Sequence, residues 1–218
     1  MGDVTRPLLL DGFCKAGGAG TGYHRAGFDI LGVDIQPQPH YPFRFVQADM
    51  LQFLASASLA GVAAIHVSPV CKRYSASTPE RTRASHPDQI GPVRELLARS
   101  GRPWVIENVP GAPMRPDLKL CGCMFGLRTP AGQLIRERWF ETSWRAFEMR
   151  PGCHHVGRAI SVTGTGATKS RQRHATFADW RQLMGIDWMT GAEMSQAIPP
   201  AYTEHVGRQL IGVLAVTR

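Results

Sequence analysis

Apolar runs of strand length recur through the first half of the chain, each closed by a turn-former or an acid, with amphipathic helical stretches between them. Leu8-Leu9-Leu10 runs into Asp11-Gly12-Phe13-Cys14-Lys15-Ala16-Gly17-Gly18-Ala19-Gly20-Thr21-Gly22, which reads as strand, tight glycine-rich turn and helix start. Residues 28–35 predict a second strand ending in Asp34-Ile35. Val46-Gln47-Ala48-Asp49 closes a third, and Asp49 opens a helix predicted over residues 50–59. Ala64-Ile65-His66-Val67 is a fourth apolar run, ended by Ser68-Pro69. Between Asp88 and Arg99, the residues Ile90, Val93, Leu96 and Leu97 share one helical face, before the break Ser100-Gly101-Arg102-Pro103 and a further strand, Trp104-Val105-Ile106-Glu107-Asn108-Val109. Strands alternating with helices predict an α/β fold: a mostly parallel sheet with helices on both faces, whose ligands bind at the carboxyl ends of the strands.

The second half is less regular. Leu120-Cys121-Gly122-Cys123-Met124-Phe125-Gly126-Leu127 reads as an apolar packing segment, and Ala159-Ile160-Ser161-Val162 as a short strand. Thr176-Phe177-Ala178-Asp179 and Thr190-Gly191-Ala192-Glu193 have the spacing of capping boxes. A last helix from Pro199 places Val206, Leu210, Val213 and Leu214 on one face. Residues 72–89 and 163–174 are polar, basic and without helical period, and so predict loops.

A chain of 218 residues with 43% apolar content can bury one sizeable core and a small appendage. No stretch reaches the ~18 consecutive apolar residues of a membrane span, and Met1-Gly2-Asp3-Val4-Thr5-Arg6 leads straight into a strand, so no membrane association and an intracellular protein are expected. The five cysteines fit a reducing compartment better than a disulfide framework. Lys and Arg number 25 against 17 acids, a net charge of +8. The excess gathers at Lys72, Arg73, Arg81, Arg83 and His86, and again at Arg158, Lys169, Arg171, Arg173 and His174. Charge runs also arise as solvated faces, but clusters in Ser/Thr/Gly-rich segments, one of them starting beside a cysteine, favour a nucleic acid.

Candidate chemistry sits at the strand ends. The fourth strand delivers the Cys71 thiol beside Lys72 and Arg73, where positive charge is expected to lower its pKa. The fifth delivers Glu107, a carboxyl group between apolar neighbours, which is a poor place for an idle charge. Asp34, ~20 residues beyond the first strand, can accept the hydroxyls of a ribose. Asp49 suits an N-cap or the amino group of an adenine. Cys121, Cys123, Cys153, His154 and His155 offer enough metal ligands for zinc, but the Cys-x-Cys spacing is shorter than is common, and no metal is expected.

In order along the chain, these segments resemble the DNA cytosine carbon-5 methyltransferases, particularly the short bacteriophage forms. Asp11-Gly12-Phe13-Cys14-Lys15-Ala16-Gly17-Gly18 is similar to the cofactor motif, which usually reads Asp-Leu-Phe, a small residue, Gly, any residue, Gly-Gly. Ser68-Pro69-Val70-Cys71-Lys72-Arg73-Tyr74-Ser75 resembles the nucleophile motif, usually Pro-Cys-Gln followed by an aromatic and Ser. Glu107-Asn108-Val109 is the family's Glu-Asn-Val, Arg136-Glu137-Arg138 resembles its Arg-x-Arg, and Ser195-Gln196-Ala197-Ile198-Pro199-Pro200 its late motif. Lys15, Val70, Lys72, Leu134 and Gln196 depart from the usual residues, and none of these changes removes a reacting group.

The resemblance implies a Rossmann-like S-adenosylmethionine-dependent methyltransferase fold. Residues 1–139 would form the catalytic domain, 140–182 a reduced target recognition region and 183–218 helices packing back on the catalytic domain. It implies S-adenosylmethionine held by Phe13, Ala16, Gly17, Gly18, Asp34, Ile35, Asp49, Met50, Ser68, Pro69, Gln196 and Ala197. Cys71 would add to carbon 6 of cytosine, Glu107 would face ring nitrogen 3, and Arg136 or Arg138, preferably Arg138, would hold the ring carbonyl. The partner would be DNA, double-stranded with the cytosine flipped out, contacted by Lys72, Arg73, Ser75, Arg81, Arg83, Lys169, Arg171 and Arg173. A monomer in the cytoplasm of a bacterium or phage-infected host is implied, reading a short site of roughly two to four bases. Two other classes fit parts of the pattern: a DNA-binding protein that keeps the cofactor pocket without catalysis, and a nucleotide-dependent oxidoreductase, for which the Cys71/Glu107 pair has no use.

Overall fold

The structure is a computed structural model that describes residues 6–163 and 175–216. In chain order the elements are β1 (Leu8–Gly12), α1 (Gly18–Ala26), β2 (Asp29–Asp34), β3 (Arg44–Gln47), α2 (Met50–Ser56), β4 (Val62–Val67), α3 (Glu80–Arg83), α4 (Ile90–Arg99) and β5 (Trp104–Asn108). There follow β6 (Leu118–Leu120), β7 (Arg128–Thr129), β8 (Gly132–Leu134), β9 (Arg138–Thr142), β10 (Ala159–Ile160), α5 (Phe177–Met184), α6 (Gly191–Gln196) and α7 (Pro200–Val216). A seven-stranded sheet has the order β3-β2-β1-β4-β5-β9-β6, in which β9 alone runs against its neighbours. This is the mostly parallel sheet that the alternating elements predict, in the Rossmann-like form that the resemblance implies.

Strand alternation sorts the core into two layers. Leu9, Ala64 and Val105 face Tyr23 of α1 and Tyr202, Val206 and Leu210 of α7. Leu10, Ile65 and Ile106 face Met50 and Leu54 of α2 and Val93 and Leu97 of α4. Leu9 and Leu10 are both fully buried on opposite faces, each contributing about 1.5–3 kcal/mol. The helix expected to reach residue 59 ends at Ser56, where Ala57 turns extended. Thr176 and Thr190 both form the reciprocal capping boxes that their spacing predicts.

β8, β10 and β7 make a separate three-stranded sheet, in the order β10-β8-β7. Its Leu134 and Ile160 pack with Val162 and with Trp180, Leu183 and Met184 of α5. This small layer takes strands from both sides of residue 140, and β9 itself runs through to Thr142 in the main sheet. The boundary expected at residue 139 therefore cuts a strand rather than a linker. No helix among the described residues is long and apolar enough to cross a membrane.

Candidate active site

The sheet reverses its strand order between β1 and β4, and a crevice for ligands opens at the carboxyl ends of strands at such a point. The chain leaves β4 at Val67 and passes through Ser68-Pro69-Val70 to reach Cys71. The Ser68 amide donates to the Gly12 carbonyl of β1 at 3.1 Å. Asn108, at the end of β5, donates from Nδ2 to the Pro69 carbonyl at 2.9 Å and accepts from the Val109 amide at 2.9 Å. Beyond the thiol, the Cys71 carbonyl accepts from the amides of Tyr74 and Ser75, which makes a tight turn. The Cys71 backbone is thus fixed on both sides.

Glu107 lies on β5, next to Ile106, which pairs with Val67 at the end of β4. It is buried, and Arg138 of β9 approaches it with Nε at 3.1 Å from Oε1. Burial pushes the Glu107 carboxyl up, and Arg138, the Ser68 hydroxyl and Arg136 pull it down, for a net rise. The Cys71 thiol is raised in turn, first by burial and then by the Glu107 charge, while Arg138 and Arg136 offset part of the rise. This corrects the expected lowering. Lys72 is exposed, and Arg138 of β9 with Arg136 just before it are the cations that act on the thiol. Because the carboxylate charge disfavours the thiolate, a neutral Glu107 and an ionised Cys71 favour one another.

Behind Glu107 runs a buried polar chain. The Tyr23 hydroxyl lies 3.0 Å from His66 Nδ1, His66 Nε2 lies 3.0 Å from Ser68 Oγ, and Ser68 bonds to Glu107. His66 has no exposed surface, and burial lowers its pKa to about 3, so it is neutral. When Nδ1 accepts from Tyr23 and Nε2 donates to Ser68, the Ser68 proton is left for Glu107. His66 was not anticipated. A histidine inside an otherwise apolar strand was the available signal.

Arg136 and Arg138 part company. Arg136 is buried and donates to the carbonyls of Ala197 at 3.1 Å, Val162 at 2.8 Å and Ser195 at 2.7 Å. Its own carbonyl accepts from the Tyr202 hydroxyl at 2.8 Å. Burial lowers its pKa to about 9, still charged at neutral pH. Arg136 clasps the small layer and the late motif to the main sheet, and Arg138 is the one that faces Glu107.

The residues expected at a cofactor gather along the carboxyl ends of β1 and β2. Phe13 and Lys15 both have left-handed backbone, φ +56° and +47°, and Gly17 follows at +87°. A left-handed residue with a side chain costs about 1–2 kcal/mol, which is a physical reason for the glycine usual in place of Lys15. Lys15 is held by Asp34, which accepts from its amide at 3.1 Å and from Nζ at 3.3 Å, and also from the Gln36 amide at 3.0 Å. Ile35 next to it is 55% exposed, a large apolar side chain open at a strand end. Asp49 caps α2 by accepting from the Gln52 amide, and Met50 is buried behind it. A Cβ on Gly18 would sit 2.6 Å from the Ile198 carbonyl, so only glycine lets α1 meet the late motif. Ala197 is buried there, with Gln196 exposed, while Ser68 is tied to the end of β1 through Gly12 and Pro69 to the end of β5 through Asn108. Trp188, also unforeseen, donates from Nε1 to the Ala16 carbonyl at 2.9 Å and pins the turn.

Asp11 is buried beneath this turn, and burial raises its pKa to about 8 against the pull of the Tyr41 hydroxyl at 3.0 Å. A carboxyl held above its ordinary value of 3.8 contributes stability that is complete at low pH and lost as pH rises through about 8. Asp11→Asn should therefore lower the melting temperature most at pH 5 and least at pH 9. Parallel melting curves for both proteins across that range check it; a constant gap would show that Asp11 is ionised throughout.

The residues expected on DNA divide. Lys72 and Arg81 are exposed. Arg73 donates to the carbonyls of Ala84 and His86, and Arg83 to that of Thr78, so both brace the loop after the thiol. Ser75 belongs to the turn, its hydroxyl accepting from the Ser77 amide. Lys169, Arg171 and Arg173 lie outside the described residues.

No family model matches the sequence, and no curated protein sequence resembles it. Solved structures do. A protein described as a DNA modification methyltransferase encoded within a prophage (E. coli) superposes with a TM-score of 0.60 at 13% identity, over 95% of this chain and 99% of that one. The Entamoeba histolytica methyltransferase EhMeth gives 0.62 at 10% identity, over 96% and 99%. The S. pombe Dnmt2 methyltransferase gives 0.61 at 11%, over 96% and 99%. At such identities the likeness is one of fold, and the chain has the fold of these methyltransferases.

Proposed function

We propose that the chain is a DNA cytosine C5-methyltransferase, acting on a flipped-out cytosine through a covalent adduct with Cys71. The observation that carries this reading is the meeting of Cys71, Glu107 and Arg138 at the ends of β4, β5 and β9, beside the β1–α1 turn. A methyltransferase fold supports it, as do the net charge of +8 and the exposed Lys72 and Arg81.

The crevice suits S-adenosylmethionine. Ile35 offers an exposed apolar face for an adenine, Asp34 a carboxylate for a ribose, and Asp49 keeps one oxygen beyond its cap bond. The Lys15 ammonium bonds to Asp34 now and must move aside for the sugar hydroxyls; its side chain is 41% exposed and free to do so. When bound, this cofactor supplies the electrophilic methyl group that carbon 5 takes.

The chain's own groups prepare the ring. The Cys71 thiolate forms a bond to carbon 6, the carbon 5–carbon 6 double bond opens, and its electron pair becomes available at carbon 5 and, by conjugation, at nitrogen 3. Burial favours the protonated form of Glu107, which donates a hydrogen bond or proton to nitrogen 3 as that charge develops. Arg138 holds Glu107 and directs positive charge to the same edge of the base. Once carbon 5 is methylated it loses its proton to a base, the electron pair re-forms the double bond, and the thiolate leaves. Asn108 keeps the Cys71 backbone fixed through the cycle by its bond to the Pro69 carbonyl.

The purified protein, incubated with S-adenosylmethionine and cytosine-containing duplex DNA, should produce 5-methylcytosine at a short recurring sequence. Base-resolution sequencing of the product reads activity and site together. Methylation absent from duplex and single-stranded DNA alike would end the proposal.

A further inference from the structure

We propose that Cys121, Cys123, Cys153 and His155 bind a single zinc ion that fastens the β9–β10 loop to the edge of the main sheet. Their four ligand atoms all lie within 4.8 Å of one another. Cys121 Sγ is 3.5 Å from His155 Nε2, Cys153 Sγ is 3.0 Å from the same nitrogen, and Cys123 Sγ is 3.2 Å from Cys153 Sγ. A tetrahedral zinc with bonds of about 2.3 Å to sulfur and 2.0–2.1 Å to nitrogen sets ligand separations of about 3.5–3.8 Å. Small shifts bring the observed cluster onto that shape.

The spacing that counted against a metal is explained by the backbone. Cys121 is extended, φ −136° and ψ 152°, where β6 gives way to the 3-10 turn Gly122–Phe125. That bend from extended to 3-10 backbone leaves the two sulfurs within 4.8 Å of each other, so a Cys-x-Cys pair can converge on one ion. Cys153 and His155 repeat the x1 spacing from the opposite side, with His154 left out of the cluster. Four ligands of this kind, three thiols and an imidazole without a carboxylate, suit zinc and fill its coordination, which marks a structural rather than a catalytic ion.

The surroundings supply a second argument. Residues 143–158 form no helix or strand, and Phe147, Met149 and Val156 are exposed at 59%, 85% and 65%, so the loop buries little apolar surface of its own. Trp144 and Ala146 pack on the main core at the loop's start, and beyond them the ties are polar or cationic: Gln209 pairs with the Phe147 backbone, and the Arg150 guanidinium lies over the Phe125 ring at 4.4 Å. Phe125, on the same turn as Cys123, stacks on Tyr202, whose hydroxyl bonds to the Arg136 carbonyl. A metal here would lock the loop to the turn that supports the Arg136 clasp, replacing a core the segment cannot build.

The test uses the whole chain, purified under reducing conditions without a histidine tag. Elemental analysis should give one zinc per chain, and cobalt(II) exchanged into the site should show thiolate-to-metal charge-transfer absorption with the visible bands of a tetrahedral ion. Cys123→Ser and Cys153→Ser should each lose both signals, and His154→Ala should keep them. Stripping the metal with a chelator should lower the melting temperature by at least about 5 °C, a reading that does not depend on any variant folding. Less than about a fifth of an equivalent of zinc with no cobalt charge-transfer band, a Cys123–Cys153 disulfide in the reduced preparation, or loss of metal in His154→Ala would each overturn the proposal. None of these readings depends on methyl transfer.

Discussion

Cys71→Ser abolishes methyl transfer and, with it, the capture of DNA carrying 5-fluorocytosine. The proposed adduct forms a carbon–sulfur bond at carbon 6, and fluorine at carbon 5 prevents the proton loss that would release it. Wild-type protein should therefore run as a denaturation-resistant complex with such DNA, and the serine variant should not. A hydroxyl is a far weaker nucleophile than a thiolate at neutral pH, so the loss should exceed the roughly 10²–10⁴-fold range of a missing general acid. Cys71 is half-buried and its fixed backbone needs only the Asn108 and turn bonds, so the variant should melt within about 1 kcal/mol of wild type. Retained DNA binding with no adduct in the wild type would favour a binding protein over an enzyme.

Glu107→Gln should split two readings that usually move together. Removing the carboxylate charge takes away the electrostatic push that raises the Cys71 thiol, so alkylation of Cys71 by iodoacetamide should become faster at neutral pH. The amide cannot deliver a proton to ring nitrogen 3, so methyl transfer should fall roughly 10²–10⁴-fold. A more reactive thiol with a slower enzyme is the signature expected of Glu107 as the acid. If alkylation and methyl transfer both slow, the variant has disturbed the loop instead, and if both are unchanged Glu107 has no part in the chemistry.

The parallel sheet was legible because its strands are buried on both faces and read as apolar runs, and because glycine, proline and acids punctuate them at the crevice. The capping boxes at Thr176 and Thr190 were equally plain, being local in sequence. Contacts that join distant segments were not. Arg138 opens β9 and Arg136 lies two residues before it, and nothing in their spacing says that one is surrounded by carbonyls and the other meets a carboxylate. The thiol's electrostatics went the wrong way for the same reason: Lys72 is next to Cys71 in sequence, but burial and Glu107 outweigh it in space. The Lys15 departure became intelligible only with its left-handed backbone and its bonds to Asp34 in view.

Arg136 holds Val162, Ser195 and Ala197 by their backbone oxygens and by nothing that their side chains provide. Every amino acid carries that oxygen, so the segments it moors can exchange nearly all their surface residues without slipping anchor. Such an attachment is indifferent to the side chains it carries, which leaves that face of the molecule free to vary while the mooring stays the same.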